Sequence, residues 1–149
     1  MALEEKVMEE LKNAMRAKDE AALRTLRAIK AAIIIEKTAE GASGEINEAT
    51  ELKMLQKLAK QRRDSLEIFE KQNREDLASK ERDELAIIER FLPKQMSADE
   101  LKAEVAAIIA QVGAKSPADM GKVMGVASKQ LAGKTDGKAI SEMVKQLLA

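Results

Sequence analysis

Residues 115–145 hold the side chains best suited to binding chemistry in this sequence, because they combine glycine with lysine. Four of the chain's seven glycines lie in this stretch, and a lysine follows three of them. Lysine ammonium groups and free N–H groups at helix starts both suit phosphate oxygens. The lysines around one predicted helix end and its turn are Lys122, Lys129, Lys134 and Lys138. They indicate either phosphate contact or, as the preferred interpretation, an ordinary solvated surface.

Gly121 and Gly125 lie four residues apart in a segment whose apolar residues predict a helix. A glycine inside a helix costs about 1 kcal/mol relative to alanine, so we expect a close backbone approach to offset that cost. The preferred interpretation is a neighbouring helix packed tightly against both glycines, as this spacing allows in membrane helices. The alternative is a flat face that a nucleic-acid backbone approaches.

Few groups in the sequence could catalyse a reaction or bind a metal. Cysteine and histidine are both missing, which excludes disulfides and removes the usual general base and the commonest metal ligand. The segment from Ser128 to Thr135 is similar to a P-loop, but serine replaces the first glycine and a predicted helix precedes it. A glycine helix cap is therefore preferred there. We expect no catalytic residue, no metal and no cofactor.

Charge and aromatic content limit what the glycine–lysine stretch can recognise. The 26 basic residues balance 26 acidic ones, so the whole chain exerts no general attraction on nucleic acid or membrane. From Lys94 onward eight lysines accompany six acidic residues, without any arginine or aromatic residue. Base stacking and paired hydrogen bonds to guanine are thus excluded in this part, and nucleic-acid contact there would follow shape and backbone.

Two further basic clusters precede this part. They are Arg24 with Arg27 and Lys30, and Lys60 with Arg62 and Arg63. Their spacing places each cluster on a helix, and acidic residues follow the second one. The preferred interpretation is ion pairing on helix surfaces, worth about 0.3 kcal/mol for each pair.

Apolar residues at helical spacing predict an all-α fold: an N-terminal helical bundle of about four helices in residues 1–93, then a small three-helix domain in residues 94–149. The first N-terminal helix is expected over 2–17, and the second runs from a cap at Asp19 to a loop at 40–46. The third is expected over 48–73, and the fourth over 74–91 after a cap at Asn73. The signals that delimit the C-terminal helices are Ser97 with Glu100, Gly113, Ser116 with Pro117, Gly133 and Asp136.

The expected location of the protein follows from features that the sequence does not contain. No apolar run approaches the about 20 residues of a membrane span. The N-terminus is amphipathic and acidic, unlike a signal peptide. The sequence therefore predicts a cytoplasmic protein that does not contact a membrane.

Several segments together resemble the GatB/YqeY family. They are Leu23-Arg-Thr-Leu-Arg-Ala-Ile-Lys-Ala-Ala, Lys60-Gln-Arg-Arg-Asp-Ser, Glu89-Arg-Phe-Leu-Pro-Lys-Gln-Met-Ser, Asp119-Met-Gly-Lys-Val-Met-Gly and Gly133-Lys-Thr-Asp-Gly-Lys. The resemblance covers essentially the whole chain. It implies a free-standing protein similar to the tail domain of the GatB component of the tRNA-dependent amidotransferase, with a helical bundle and a small C-terminal helical domain.

The resemblance also implies a function and a site. In the amidotransferase the tail engages tRNA, which points by motif to Gly121, Lys122, Gly125, Gly133, Lys134 and Lys138. The leading hypothesis is an accessory module that binds tRNA or other structured RNA. The family's carbon–nitrogen ligase activity, with glutamine as amide donor, is expected to belong to the larger enzyme, whose ATP-binding and catalytic portion has no counterpart here. The alternative is a protein–protein adaptor with a protein partner and no nucleic-acid role.

Overall fold

The computed structural model of the chain describes residues 2–39 and 44–149, and within these residues every regular element is helical. The α-helices are α1 Leu3–Ala17, α2 Glu20–Thr38, α3 Glu48–Lys71, α4 Glu75–Glu89, α5 Ala98–Val112, α6 Met120–Gln130 and α7 Gly137–Leu148, with a 3₁₀ turn at Pro117–Asp119. The all-α prediction is confirmed. Of the loop predicted at 40–46, residues 40–43 lie outside the described residues.

Side-chain caps determine where several helices begin. The carboxylate of Asp19 accepts a hydrogen bond from the Ala22 N–H at 3.1 Å, and Asp136 accepts one from the Ala139 N–H at 2.7 Å. The Ser97 hydroxyl likewise accepts from the backbone N–H three residues later, at 3.1 Å. Each bond satisfies an N–H group that has no partner within its own helix, which confirms these caps.

Two predicted helix starts need correction. Asn73 does not cap α4, because its backbone is left-handed with φ 55° and the cap position is Arg74. A short polar side chain tolerates this conformation, so asparagine forms the turn instead. Pro117 begins a 3₁₀ turn rather than a full helix, and α6 starts only at Met120.

The chain consists of two compact units, Met1–Leu92 and Pro93–Ala149, and most residue contacts lie within one unit. In the first unit α2 is central, since it packs against α1, α3 and α4. Its residues Leu26, Ile29 and Ile33 are at most 1% exposed and form the middle of the core. The helix continues through the β-branched Ile33-Ile34-Ile35, as predicted, because the pattern of buried positions on α2 is helical.

The second unit packs three helices around a separate core. Helices α5, α6 and α7 all contact one another. Each contributes one valine that is fully buried, Val105, Val123 and Val144 respectively. The side of each helix that carries its valine therefore faces the core, and the opposite side faces solvent.

Candidate nucleic-acid interface

The outer face of α6 carries four of the residues that the sequence singled out. Val123 and Ala127 are buried in the core, whereas Gly121, Lys122, Gly125 and Lys129 are all exposed. At 3.6 residues per turn, these four positions fall within a sector of about 100° on the side opposite the core. The structure thus brings them together on one solvent-facing strip.

The glycines of this strip face open space. Apart from its chain neighbours and the nearby backbone of α6 itself, a Cβ atom built on Gly121 or on Gly125 would have no atom of the described residues within 4 Å. The preferred interpretation, a helix packed tightly against both glycines, is therefore wrong. The physical reason is that α6 turns its Val123 side towards α5 and α7, so that the two glycines lie on the side facing away from these helices. What remains is a bare stretch of backbone between Lys122 and Lys129.

Replacing either helical glycine by alanine tests this geometry. We expect Gly121→Ala and Gly125→Ala each to raise the free energy of unfolding by about 1 kcal/mol, because alanine favours the helix and the space is open. Urea denaturation followed by circular dichroism measures the change. The matched control is Gly113→Ala, also in open space but at φ +71°, where a left-handed backbone should make alanine cost about 1–2 kcal/mol. A loss of stability in both helical variants would show that another group needs the space.

The turn between α6 and α7 is built around Gly133. This residue is buried and has φ +80°, a conformation that favours glycine. Its carbonyl accepts a hydrogen bond from Gln95 Nε2 at 2.9 Å. The next residue, Lys134, donates its N–H to the Leu131 carbonyl at 3.1 Å and accepts from the Met96 N–H at 2.9 Å. Gly133 therefore shapes the turn, and the exposed Lys134 side chain projects from it.

The remaining candidate lysines lie on either side of this turn. Lys129 is in the last turn of α6, and Lys138 is the second residue of α7, just after the Asp136 cap. Together with Lys134 they form a group at one end of the unit, and all three are exposed. Lys122 lies seven residues before Lys129, about 10 Å further along α6. We call these four lysines, with Gly121 and Gly125, the lysine surface.

The ammonium groups of the lysine surface are available to a ligand. Within the described residues, Lys122, Lys129, Lys134 and Lys138 form no ion pair. Lys122 has a longer-range attraction to Asp119. The pKa of Asp119 is lowered mainly by a hydrogen bond from the Lys115 N–H and less by a backbone hydrogen bond from Ser116 and by the charges of Lys122 and Lys115. No lysine of this surface is therefore held in an ion pair that an external anion would have to displace.

Several basic residues of the first unit, in contrast, form ion pairs with acidic side chains. Ion pairs join Arg24 to Glu84, Lys60 to Asp64, Arg62 to Glu84, Arg63 to Glu89, Arg82 to Glu75, and Arg90 to Glu10. The interpretation of the two clusters as partners in surface ion pairs is confirmed for Arg24, Lys60, Arg62 and Arg63. It is not borne out for Arg27 and Lys30, which form no ion pair within the described residues. The paired basic groups are therefore less available to an external anion than the lysines of the lysine surface.

One carboxylate of the first unit lacks a good partner. Glu81 is only 21% exposed, and its Oε2 atom lies 3.9 Å from Arg62 Nε, too far for a hydrogen bond. Arg62 instead donates to Glu84 Oε2 at 3.1 Å. Burial raises the pKa of Glu81, and the nearby Glu84 charge raises it further.

We expect Glu81→Gln to raise the melting temperature at pH 7. The pKa of Glu81 is higher in the folded than in the unfolded chain, so ionisation destabilises the fold above that pKa and ceases to matter as the pH falls through it. The increase in melting temperature of Glu81→Gln over the original chain should therefore be largest at pH 7 and shrink towards about pH 4. Differential scanning calorimetry over this range measures it. The control Glu84→Gln should lower the melting temperature, because it weakens the bond to Arg62; a lower value for Glu81→Gln as well would contradict the account.

Sequence reasoning did not identify Lys94 as a candidate. The hydrogen bonds from Gln95 and Met96 to the turn bring Lys94 close to Lys134, although these residues are far apart in the chain. The spacing of residues within a short stretch of sequence does not indicate hydrogen bonds between such distant segments. The one available signal was the segment Pro93-Lys-Gln-Met, which lies within one of the motifs that resemble the GatB/YqeY family.

Comparison with known proteins places the chain in a family. A family model described as "Yqey-like protein" matches residues 4–148. The chain is 31% identical to the Altered inheritance of mitochondria protein 41, mitochondrial, of Kluyveromyces lactis over 140 residues, which cover 92% of this chain and 71% of that protein. It is 39% identical to the protein of the same name from Vanderwaltozyma polyspora over 83 residues, which cover 56% of this chain and 44% of that protein.

These relatives correct the predicted location. Both are named as mitochondrial proteins, which contradicts the prediction of a cytoplasmic protein. The inference failed because the features it used, a signal peptide and a membrane span, do not distinguish one aqueous compartment from another. In the described part of the chain no helix is long and apolar enough to cross a membrane. In the same part, no three acidic side chains are grouped so that they could hold a metal ion.

Proposed function

This chain belongs to the YqeY-like family, and from that premise we propose that it is an accessory module that binds tRNA or another structured RNA. The proposal extends the resemblance to the amidotransferase tail, which engages tRNA. Contact is made through the lysine surface of the second unit. The chain itself is assigned no bond-making step, and the glutamine-dependent ligase activity associated with the family stays with the larger enzyme.

One observation carries the proposal: the exposed lysines of the second unit have no ion pair within the described residues, and they border a strip of bare backbone. Lysines that contact phosphates displace the counterions around the nucleic acid, and this release drives binding. Gly121 and Gly125 add no side chain that would keep a phosphate backbone at a distance. The surface therefore offers positive charge, and at the two glycines it has no side chain that would obstruct a phosphate backbone.

The residue types of this surface favour a folded RNA over a single strand. Binding of single strands depends largely on bases that stack on aromatic side chains. The chain has two phenylalanines, Phe69 and Phe91, and both precede Pro93. Recognition through lysines and backbone alone suits the regular phosphate spacing of a helical stem.

The test is a fluorescence anisotropy titration of labelled tRNA with the full chain at several salt concentrations. We expect micromolar binding at about 50 mM salt, and a logarithmic salt dependence with a slope of about −3.6, from four lysine contacts at about −0.9 each. A single-stranded polyuridylate of equal length should bind more weakly. The absence of tRNA binding at low salt would overturn the proposal.

The second candidate is a protein–protein adaptor, which a different observation favours. Ile34, Ile35 and Ile68 in the first unit are each about half exposed or more, at 48%, 66% and 52%. Large apolar side chains in such positions suit a protein partner better than RNA. Affinity purification of the chain after nuclease treatment tests this function. An adaptor should be recovered with a stoichiometric protein partner although the RNA has been removed.

A further inference from the structure

Two hydrogen bonds fasten the segment before α5 to the turn between α6 and α7. Gln95 Nε2 donates to the Gly133 carbonyl at 2.9 Å, and it also donates to the Pro93 carbonyl at 3.0 Å. The Met96 N–H donates to the Lys134 carbonyl at 2.9 Å. The segment therefore has a fixed position beside the turn, although 38 residues separate Gln95 from Gly133.

These bonds place Lys94 next to the lysine surface. A backbone hydrogen bond such as that between Met96 and Lys134 holds two chains about 5 Å apart, as in neighbouring strands. Lys94 lies two residues before Met96, which is at most about 7 Å along the chain. Its side chain is exposed and, within the residues that the structure describes, forms no ion pair. Lys94 and Lys134 can therefore approach one stretch of phosphate backbone.

Three acidic side chains of this unit interact with the starts of their own helices. The Asp136 carboxylate accepts from the Ala139 N–H at the start of α7. The Glu100 carboxylate accepts from the Ser97 hydroxyl at 3.2 Å. Asp99 is exposed in the first turn of α5, where the helix dipole favours a negative charge.

We propose that Lys94 is a further phosphate-contacting residue of the RNA surface, and that Gln95 is the positioning residue that holds it beside Lys134. This inference rests on the proposed RNA-binding function and deepens it. The contacting group comes from outside α6 and α7, so the phosphate-binding surface extends onto the segment that leads into α5.

The test compares tRNA binding by full-length variants, with circular dichroism to verify their folding. Lys94→Gln should weaken binding by about threefold to tenfold and make the salt slope shallower by about one, because one phosphate contact is lost. Lys94→Arg should restore both. The matched control is Lys102→Gln, an exposed lysine on α5, which should bind as the original chain does.

A double-mutant cycle isolates the role of Gln95. Gln95→Ala should weaken binding in the original chain but have no further effect in the Lys94→Gln background. Equal losses in both backgrounds would overturn its role as a positioning residue. Unchanged affinity and slope in Lys94→Gln, with tRNA binding intact in the original chain, would overturn the inference on Lys94 alone. Failure of the original chain to bind tRNA would overturn the proposed function and this inference together.

Discussion

Replacing Lys129 and Lys134 together by glutamate is expected to weaken tRNA binding by about 100-fold at moderate salt. Each replacement removes an attraction to phosphate and adds a repulsion. Two unit charges 4 Å apart in water interact by about 1 kcal/mol, so the two reversals together cost up to about 4 kcal/mol in the absence of salt. Screening at moderate salt reduces this cost to about 2.8 kcal/mol, which corresponds to about 100-fold in affinity. Both side chains are exposed, so the fold should tolerate the change. Anisotropy titrations at one fixed salt concentration measure the loss.

The control for this variant has the same change in net charge at another place. Lys53 and Lys57 are exposed on α3 in the first unit, and Lys53→Glu with Lys57→Glu should alter affinity by less than about threefold. This small effect is expected because neither lysine belongs to the proposed contact surface, and salt weakens the attraction between exposed charges that are not in contact. Equal losses of affinity in both double variants would mean that tRNA binding depends only on the net charge of the protein. The lysine surface would then no longer be assigned as the RNA-binding site.

Ile29→Ala is expected to lower the free energy of unfolding of the first unit by about 2–5 kcal/mol. Ile29 is 0% exposed at the centre of α2, the helix that packs against the other three of its unit. Removing its buried carbons forfeits their transfer free energy and leaves a cavity. Urea denaturation monitored by circular dichroism measures the loss.

The matched control comes from the same helix. Ile35 is 66% exposed, so Ile35→Ala removes the same atoms from a site that is mostly solvated. Its effect should stay within about 0.5 kcal/mol. A similar cost at both positions would contradict the placement of α2, since only burial distinguishes the two isoleucines.

Local signals explain why the helices could be predicted from the sequence. Caps such as Asp19, Ser97 and Asp136 act within three residues, and the apolar stripes repeat every turn, so both are visible in a short window. The predicted cap at Asn73 was wrong because asparagine is common both as a helix cap and as a left-handed turn residue, and here it is the latter. The choice between these roles depends on the next helix, not on asparagine itself.

The candidate site was only partly predictable. The spacing of Val123 and Ala127 already indicates that Gly121 and Gly125 face away from the core, and this local signal is more reliable here than the analogy with membrane helices. By contrast, the approach of Lys94 to Lys134 depends on hydrogen bonds between distant parts of the chain. No periodicity encodes such a contact, so only the folded structure reveals it.

The most direct test of RNA binding by the second unit is amide chemical-shift mapping. The full chain is labelled with nitrogen-15 and titrated with unlabelled tRNA at low and at moderate salt. We predict salt-sensitive shifts along the outer face of α6, in residues 133–138 and around Lys94, with the first unit largely unchanged. Shifts confined to the first unit, or none at low salt, would contradict the account.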